Sequence, residues 1–215
     1  MISAMKSLAD PAAELCRQSG RWSSHIRARL NAHVPQNFIF DKDIRAIPAS
    51  VLIPLFFKDG QAHILFTKRS ENLVQHKGQI SFPGGRQDAA DKDRLDAALR
   101  ETEEEVGIAR SGIEVLGQSD GMLTNTHYLV TPYVGLFSPP EHYRISEGEI
   151  DRLIEAPLCH FLDDAVFYTE QRRHRGYEWQ VHYYRYGDDL IWGVTGFLLS
   201  AFLNIVFDAG RPLGG

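Results

Sequence analysis

The chain has 215 residues, 43% of them apolar and 24% charged, enough for one domain of ordinary size with a full core. A net charge of −5 argues against nucleic-acid binding, which needs a basic face. An acidic protein that handles phosphates must offset repulsion with metal ions or local arginines. The N-terminus lacks the basic start, apolar run and small-residue cleavage site of a signal peptide. The most apolar stretch, 190–206, carries Trp192, Thr195, Ser200 and Asn204 and is short for a membrane span. A cytoplasmic location, with no membrane and no nucleic-acid partner, is the expectation. The two cysteines, Cys16 and Cys159, match no metal spacing and read as free thiols in a reducing compartment.

In chain order, residues 9–33 read as an amphipathic helix, and 34–48, with Pro35 and Pro48, as an extended connection. Residues 49–57 (ASVLIPLFF) form an apolar strand, Lys58-Asp59-Gly60 a turn, and 62–68 a second strand, so the pair is expected as a hairpin. A short strand over 79–82 ends at Pro83-Gly84-Gly85, where the glycines are expected to make a tight turn and allow close backbone approach. Residues 93–106 carry helical periodicity. Strands follow at 113–117 and 129–137, the second interrupted by Pro132 and so expected near an edge. A strand at 153–158 and a short helix at 160–165 precede two aromatic-rich strands, 166–171 and 178–186, expected to pair. A buried helix from Ile191 closes the chain. The division is a helical and extended segment, 1–48, packing on a core domain, 49–208, with a tail at 209–215.

The run Arg100-Glu101-Thr102-Glu103-Glu104-Glu105-Val106-Gly107 holds four carboxylates within five residues. At roughly 100° per residue, Leu95, Leu99, Thr102 and Val106 fall in one core-facing sector. Glu101, Glu104 and Glu105 share another sector of roughly 100°, because i, i+3 and i+4 lie on one face. Ala97 and Ala98 lie on that side, so the face is expected to be open, while Glu103 points elsewhere. Carboxylates so placed raise one another's pKa unless a cation holds them. Mg²⁺, which takes oxygen ligands and bridges to substrate phosphates, suits them. Arg100 is placed to clamp a carboxylate, and Gly107 to stop the helix. The alternative for any acidic run is a solvated helix face; the shared sector and the flanking Arg100 and Gly107 narrow that alternative without removing it.

The segment from Gly85 to Ile108 resembles the signature of the Nudix hydrolases, a glycine and a spaced acid followed by R-E-apolar-x-E-E-x-G-apolar. Arg100, Glu101, Glu104, Glu105, Gly107 and Ile108 match it; Thr102 stands where an aliphatic residue is usual. Asp91 occupies the place of the spaced glutamate, with the loop to Arg100 one residue longer than usual. Upstream, Leu65-Phe66-Thr67-Lys68-Arg69-Ser70, then Leu73, His76, Gly78 and Gln79, leads into Phe82-Pro83-Gly84-Gly85. That segment resembles the extra signature of the coenzyme A pyrophosphatase branch, with Val74 replacing an arginine. The branch shares the longer loop and has Asp at the positions of Asp88 and Asp91. Val130-Thr131-Pro132 and Ile191-Trp192-Gly193 also resemble branch segments.

The resemblance implies an α/β fold, a Nudix-type α/β/α sandwich with a mixed β-sheet flanked by helices. It implies Mg²⁺- or Mn²⁺-dependent attack of water on a diphosphate, with coenzyme A or a derivative as the small-molecule substrate. Glu101, Glu104 and Glu105 would hold the metal and Glu104 would act as base, with Glu101 and Arg100 in the catalytic set. Glu149 is a further candidate acid, weighed equally against a surface-loop role. Asp91 is a ligand or a loop support. Arg69 is the candidate for substrate phosphate, weighed evenly against a surface salt bridge. Gly84 and Gly85 are candidates for substrate contact, and Gln79 for a bond to backbone near the glycines. His76 is assigned no catalytic role. Among Tyr177, Trp179, Tyr183, Tyr184 and Tyr186, packing of a sheet is preferred over stacking of an adenine. Another diphosphate substrate, a non-catalytic nucleotide sensor and a homodimer remain open.

Overall fold

The computed structural model describes residues 11–18, 20–39, 44–72, 77–174 and 177–213. Leu73, Val74 and His76 lie outside the described residues, as do residues 9 and 10 of the expected first helix.

The helix expected over 9–33 is two helices, α1 (Pro11–Leu15) and α2 (Trp22–Ala32). Gly20 lies in the turn between them, as its poor helix propensity dictates. Trp22, Ile26 and Leu30, at helical spacing, are the buried stripe of α2. A short strand, β1 (Asn37–Phe38), precedes the long β2 (Ile47–Lys58), which turns into β3 (Gln61–Arg69). Asp59 and Gly60 both have positive φ, 51° and 77°, the two-residue hairpin turn that follows the right-handed strand twist. Next come β4 (Ile80–Ser81), β5 (Gly84–Arg86) and α3 (Arg94–Val106). After these come β6 (Ile113–Gln118), β7 (Gly121–Leu123), β8 (Tyr128–Phe137) and β9 (Ile150–Pro157).

These nine strands form one mixed sheet. Its spine runs β1-β7-β8-β2-β3-β4, with β5 paired to β2, β6 to β8 and β9 to β3. β8 is therefore central, not an edge: it pairs parallel with β2 and antiparallel with β6 and β7. Pro132 falls in the gap between the last β6 pair, at Tyr133, and the first β7 pair, at Val130, and its carbonyl accepts from Ser119 N. A proline sits inside the sheet because the ladder changes partner there.

The faces of β2 define the layers. Leu52 and Phe56 pack with Leu65, Val106 and Ile108 under α3, whereas Ile53 and Leu55 join the larger core on the other face. That core includes the buried faces of α2 and of α4 (Val194–Phe207). The expected α/β/α sandwich is the observed architecture. A second sheet of β10 (Phe167–His174), β11 (Tyr177–Tyr186) and β12 (Asp189–Trp192) packs Tyr184 and Ile191 inward. The closing helix does not begin at Ile191: Ile191 and Trp192 pair with Tyr184 and Tyr183, and Gly193, at φ 66°, turns the chain into α4. Tyr183 stacks between Tyr168 and Trp192, Tyr184 bonds Ser200 and Tyr186 packs on His160, so these three tyrosines pack within the fold. Cys16 is buried, Cys159 half-buried, and both are free. Among the described residues no helix is long and apolar enough to cross a membrane.

Candidate active site

α3 begins where Asp93 caps it, its side chain accepting from Asp96 N at 2.8 Å, and ends at Gly107 in the left-handed conformation, φ 75°. Its buried positions are Ala97, Ala98, Thr102, Glu105 and Val106, with Leu95 and Leu99 only half-buried. The carboxylate face is thus not open. Two alanines without bulk let α3 settle onto the sheet, and Glu105 goes in with them.

The three glutamates occupy three environments. The Glu105 side chain is 6% exposed, that of Glu101 20% and that of Glu104 58%. Burial pushes the Glu105 carboxyl up to about 8, against an accepted bond from Gly84 N (3.2 Å) and the nearby Arg69, whose Nη1 stands 3.9 Å away. Burial also raises Glu101, opposed by Arg100. The charges of Glu101 and of the exposed Glu149 raise Glu105, and those of Glu104 and Glu149 raise Glu101. The Glu149 carbonyl accepts from Ser70 N, just past the end of β3. Glu103 points away and pairs with Arg110 at 3.0 Å.

Gly84 and Gly85 do not form a turn. They lie in β5, paired with Val51 and Ser50 of β2. The expectation of close approach holds in a different form: a Cβ on Gly84 would meet Ser50 O at 2.3 Å, and one on Gly85 would lie 2.6 Å from Glu101 Cδ. Gln79, half-buried, accepts through its carbonyl from Arg69 N. Arg69 itself is 27% exposed at the side chain, with its Nε buried and without a hydrogen-bond partner among the described residues.

Arg100 organises the solvent side. Its Nε and Nη2 donate to Oδ1 and Oδ2 of Asp91 at 2.8 and 3.0 Å. Its Nη1 donates to Glu101 Oε1 at 2.8 Å and to Glu104 Oε2 at 3.0 Å. The bidentate bond holds Asp91 below the usual carboxylate range. Asp91 is directed at Arg100 and at Asp88 N, which makes it a support of the loop before α3.

Among the described residues no group of three or more His, Cys, Asp or Glu side chains is already gathered to hold a metal ion. The donor set nevertheless fits a hard divalent cation: Glu101, Glu104, Glu105 and Glu149 offer oxygen only, and their charges disfavour one another's ionisation. Sequence reasoning missed Ser50, which pairs with Gly85, and the bond from Arg94 Nη1 to Thr131 Oγ1 (2.9 Å). A lone hydroxyl near the start of the apolar run 49–57 was the available signal for Ser50.

The fold and the glutamate helix define a class, and comparison with known proteins agrees. The NUDIX domain family matches residues 46–153. A Photorhabdus laumondii protein named uncharacterized Nudix hydrolase NudL is 38% identical over 151 residues, 70% of this chain and 80% of its own. A Yersinia enterocolitica protein of the same name is 35% identical over 182 residues, 85% of this chain and 92% of its own. Among solved structures, the NUDIX domain of Shewanella oneidensis NrtR complexed with ADP ribose covers 54% of this chain and 76% of that one, at 20% identity and TM-score 0.45. The chain belongs to the Nudix hydrolase family.

Proposed function

We propose that the chain is a Mg²⁺- or Mn²⁺-dependent diphosphatase of coenzyme A or its derivatives. The products would be 4′-phosphopantetheine, or its acyl form, and adenosine 3′,5′-bisphosphate. The observation that carries the chemistry is the placement of Glu101 against Gly85 and of Glu105 against Gly84, each carboxyl raised by burial and by neighbouring glutamates. Such a cluster is stable in its ionised form when a cation neutralises it.

In this reading Glu101, Glu104 and Glu105 hold the cation. When bound, it neutralises phosphate oxygens and acidifies a water. Glu104, the most exposed of the three, takes the proton of the attacking water as that oxygen bonds to one phosphorus. The bridging P–O bond breaks, and its electron pair leaves with the other phosphate. Arg100 holds Glu101 and Glu104 in register, and Asp91 holds Arg100. Arg69, partly exposed beside Glu105, would meet a substrate phosphate, where a guanidinium matches the oxygens. Gly84 and Gly85 would offer backbone to the same phosphate; the space a Cβ on Gly85 would fill is taken by the Glu101 carboxylate.

The substrate assignment is supported by the segment from Leu65 to Gln79 leading into Phe82-Pro83-Gly84-Gly85. Its test is a panel with Mg²⁺ or Mn²⁺: coenzyme A, acetyl-coenzyme A, ADP-ribose, a nucleotide sugar and a diadenosine polyphosphate, with products read by mass. Adenosine 3′,5′-bisphosphate from the coenzyme A substrates, at the highest kcat/KM of the panel, is the expected result. Efficient turnover of another member with none from coenzyme A would reject the substrate while sparing the hydrolase.

A further inference from the structure

β11 and α4 meet at His182. A Cβ on Gly196 of α4 would stand 2.4 Å from His182 O, so a glycine there lets the helix backbone rest on the strand. The His182 imidazole is fully buried in this contact. Its Nδ1 bonds Ser200 Oγ of α4 at 2.7 Å, and the same hydroxyl bonds Tyr184 OH at 2.7 Å. Its Nε2 is buried and has no hydrogen-bond partner among the described residues. The rings of Phe167 and Phe197 flank it, with centroids 5.8 and 5.6 Å away.

These surroundings suit a neutral imidazole and no other form. An imidazolium has two N–H donors and a charge, and here one donor would find no acceptor and the charge no counter-ion. α4 carries no ionisable side chain. From β10, Glu170 and Arg172 bond Tyr183, which strand alternation puts on the opposite face of the sheet. From β12, Asp189 is taken by Arg152 and Lys68. On β11 itself, Tyr184 is pushed up to about 12 by burial and stays neutral. The remaining charge is of the wrong sign: the Arg211 guanidinium stands 4.4 Å over the centroid of the Phe167 ring and pairs with Asp164. Burial accordingly lowers His182 to about 4.

We propose that His182 is an acid-sensitive latch between the second sheet and α4. Neutral, it seats the sheet on the helix. Protonated, it gains water around its charge only when the sheet lifts away, which frees β10, β11 and β12 while the main sheet and α3 stay folded. The lifted form takes up its proton near the ordinary histidine value of 6.5, whereas the seated form does so near 4. Between those values each fall of one pH unit favours the lifted form about 10-fold.

The test is amide hydrogen exchange read by mass, on the full chain with Mg²⁺ present, from pH 7.5 to 4.5, with rates corrected for the pH dependence of exchange in an unfolded chain. In wild type, protection across residues 178–192 should fall about 10-fold per pH unit below 6.5, while that of α3 holds. His182→Gln keeps a bond to Ser200 but takes up no proton, and His182→Phe fills the space between Phe167 and Phe197. In both variants protection of the second sheet should stay level across the same range. Wild-type protection that stays level below pH 6.5 overturns the proposal, whether or not either variant folds. So does a fall that the variants share. A fall shared by α3 overturns it too, because the whole chain would then be unfolding.

Discussion

Asp91 and Arg100 meet edge to edge, with both carboxylate oxygens taken by the guanidinium at 2.8 and 3.0 Å and the Asp91 side chain only 2% exposed. The same guanidinium spans Glu101 and Glu104, so the loop before α3 and two of the site glutamates share one support. Asp91→Asn removes the charge and one acceptor, leaving Arg100 underpaired at 15% exposure. The expected stability loss is about 2 kcal/mol, read by chemical denaturation, with turnover reduced at least about 10-fold. Asp91→Glu restores the usual family acid and should retain most of both.

Two neighbouring glycines should fail in different ways. At Gly85 the atoms nearest to a methyl group are the carboxyl end of the Glu101 side chain, which can give way. Gly85→Ala should therefore fold with near-normal stability while Glu101 is displaced, and a shift of that kind costs about 100-fold in rate. At Gly84 the methyl group meets the Ser50 carbonyl at 2.3 Å, and φ is 150°. Gly84→Ala should lower the thermal midpoint and the yield of folded protein. Equal effects of the two variants on stability would contradict this geometry.

The pH dependence follows from Glu105, whose carboxyl is raised by burial to about 8. A raised carboxyl binds more protons folded than unfolded between about 4.5 and 8, so its effect lowers stability as pH climbs through that window. At roughly 1.4 kcal/mol per pKa unit the upper bound is about 5 kcal/mol. In EDTA, Glu105→Gln should melt about 5 °C or more above wild type at pH 8, with the gap closing toward pH 4.5. Adding Mg²⁺ at pH 8 should raise the wild-type midpoint and leave that of Glu105→Gln nearly unmoved. Calorimetry across pH reads all three, and a pH-independent gap would contradict the burial argument.

Thr102 stands where an aliphatic residue is usual, and its place explains why it is tolerated. It is fully buried, and its Oγ1 donates to Ala98 O at 2.7 Å, within its own helix. Thr102→Val exchanges a satisfied local bond for a methyl group of the same shape. Stability should change by less than about 1 kcal/mol, and kcat/KM by less than about 2-fold; a larger fall in kcat/KM would show that the hydroxyl serves the site.

Much of this could be read from residue order because local rules and tertiary packing agree. The Asp59-Gly60 turn, the Asp93 and Gly107 ends of α3 and the separation of Glu103 from the other glutamates follow from backbone preference and helical periodicity. What escaped depends on partners distant in sequence. Gly84-Gly85 reads as a turn, but becomes a strand because β2 offers a free stretch at Val51 and Ser50. Pro132 reads as an edge, but is accommodated where β8 changes from β6 to β7. Periodicity placed Glu101, Glu104 and Glu105 on one face, yet could not show that the face rests on the sheet and grades them from buried to exposed. Nor could it show Arg100 hydrogen-bonded to three carboxylates, Asp91, Glu101 and Glu104, a relation set by the loop that carries Asp91.

The most direct measurement is hydrolysis of coenzyme A by the purified chain, before and after removal of divalent cations with EDTA, with products identified by mass. The account predicts 4′-phosphopantetheine and adenosine 3′,5′-bisphosphate in equal amounts, formed only while the cation is present and restored by adding Mg²⁺ or Mn²⁺. Cleavage that continues undiminished in EDTA, or no cleavage of coenzyme A while ADP-ribose is turned over, would contradict it.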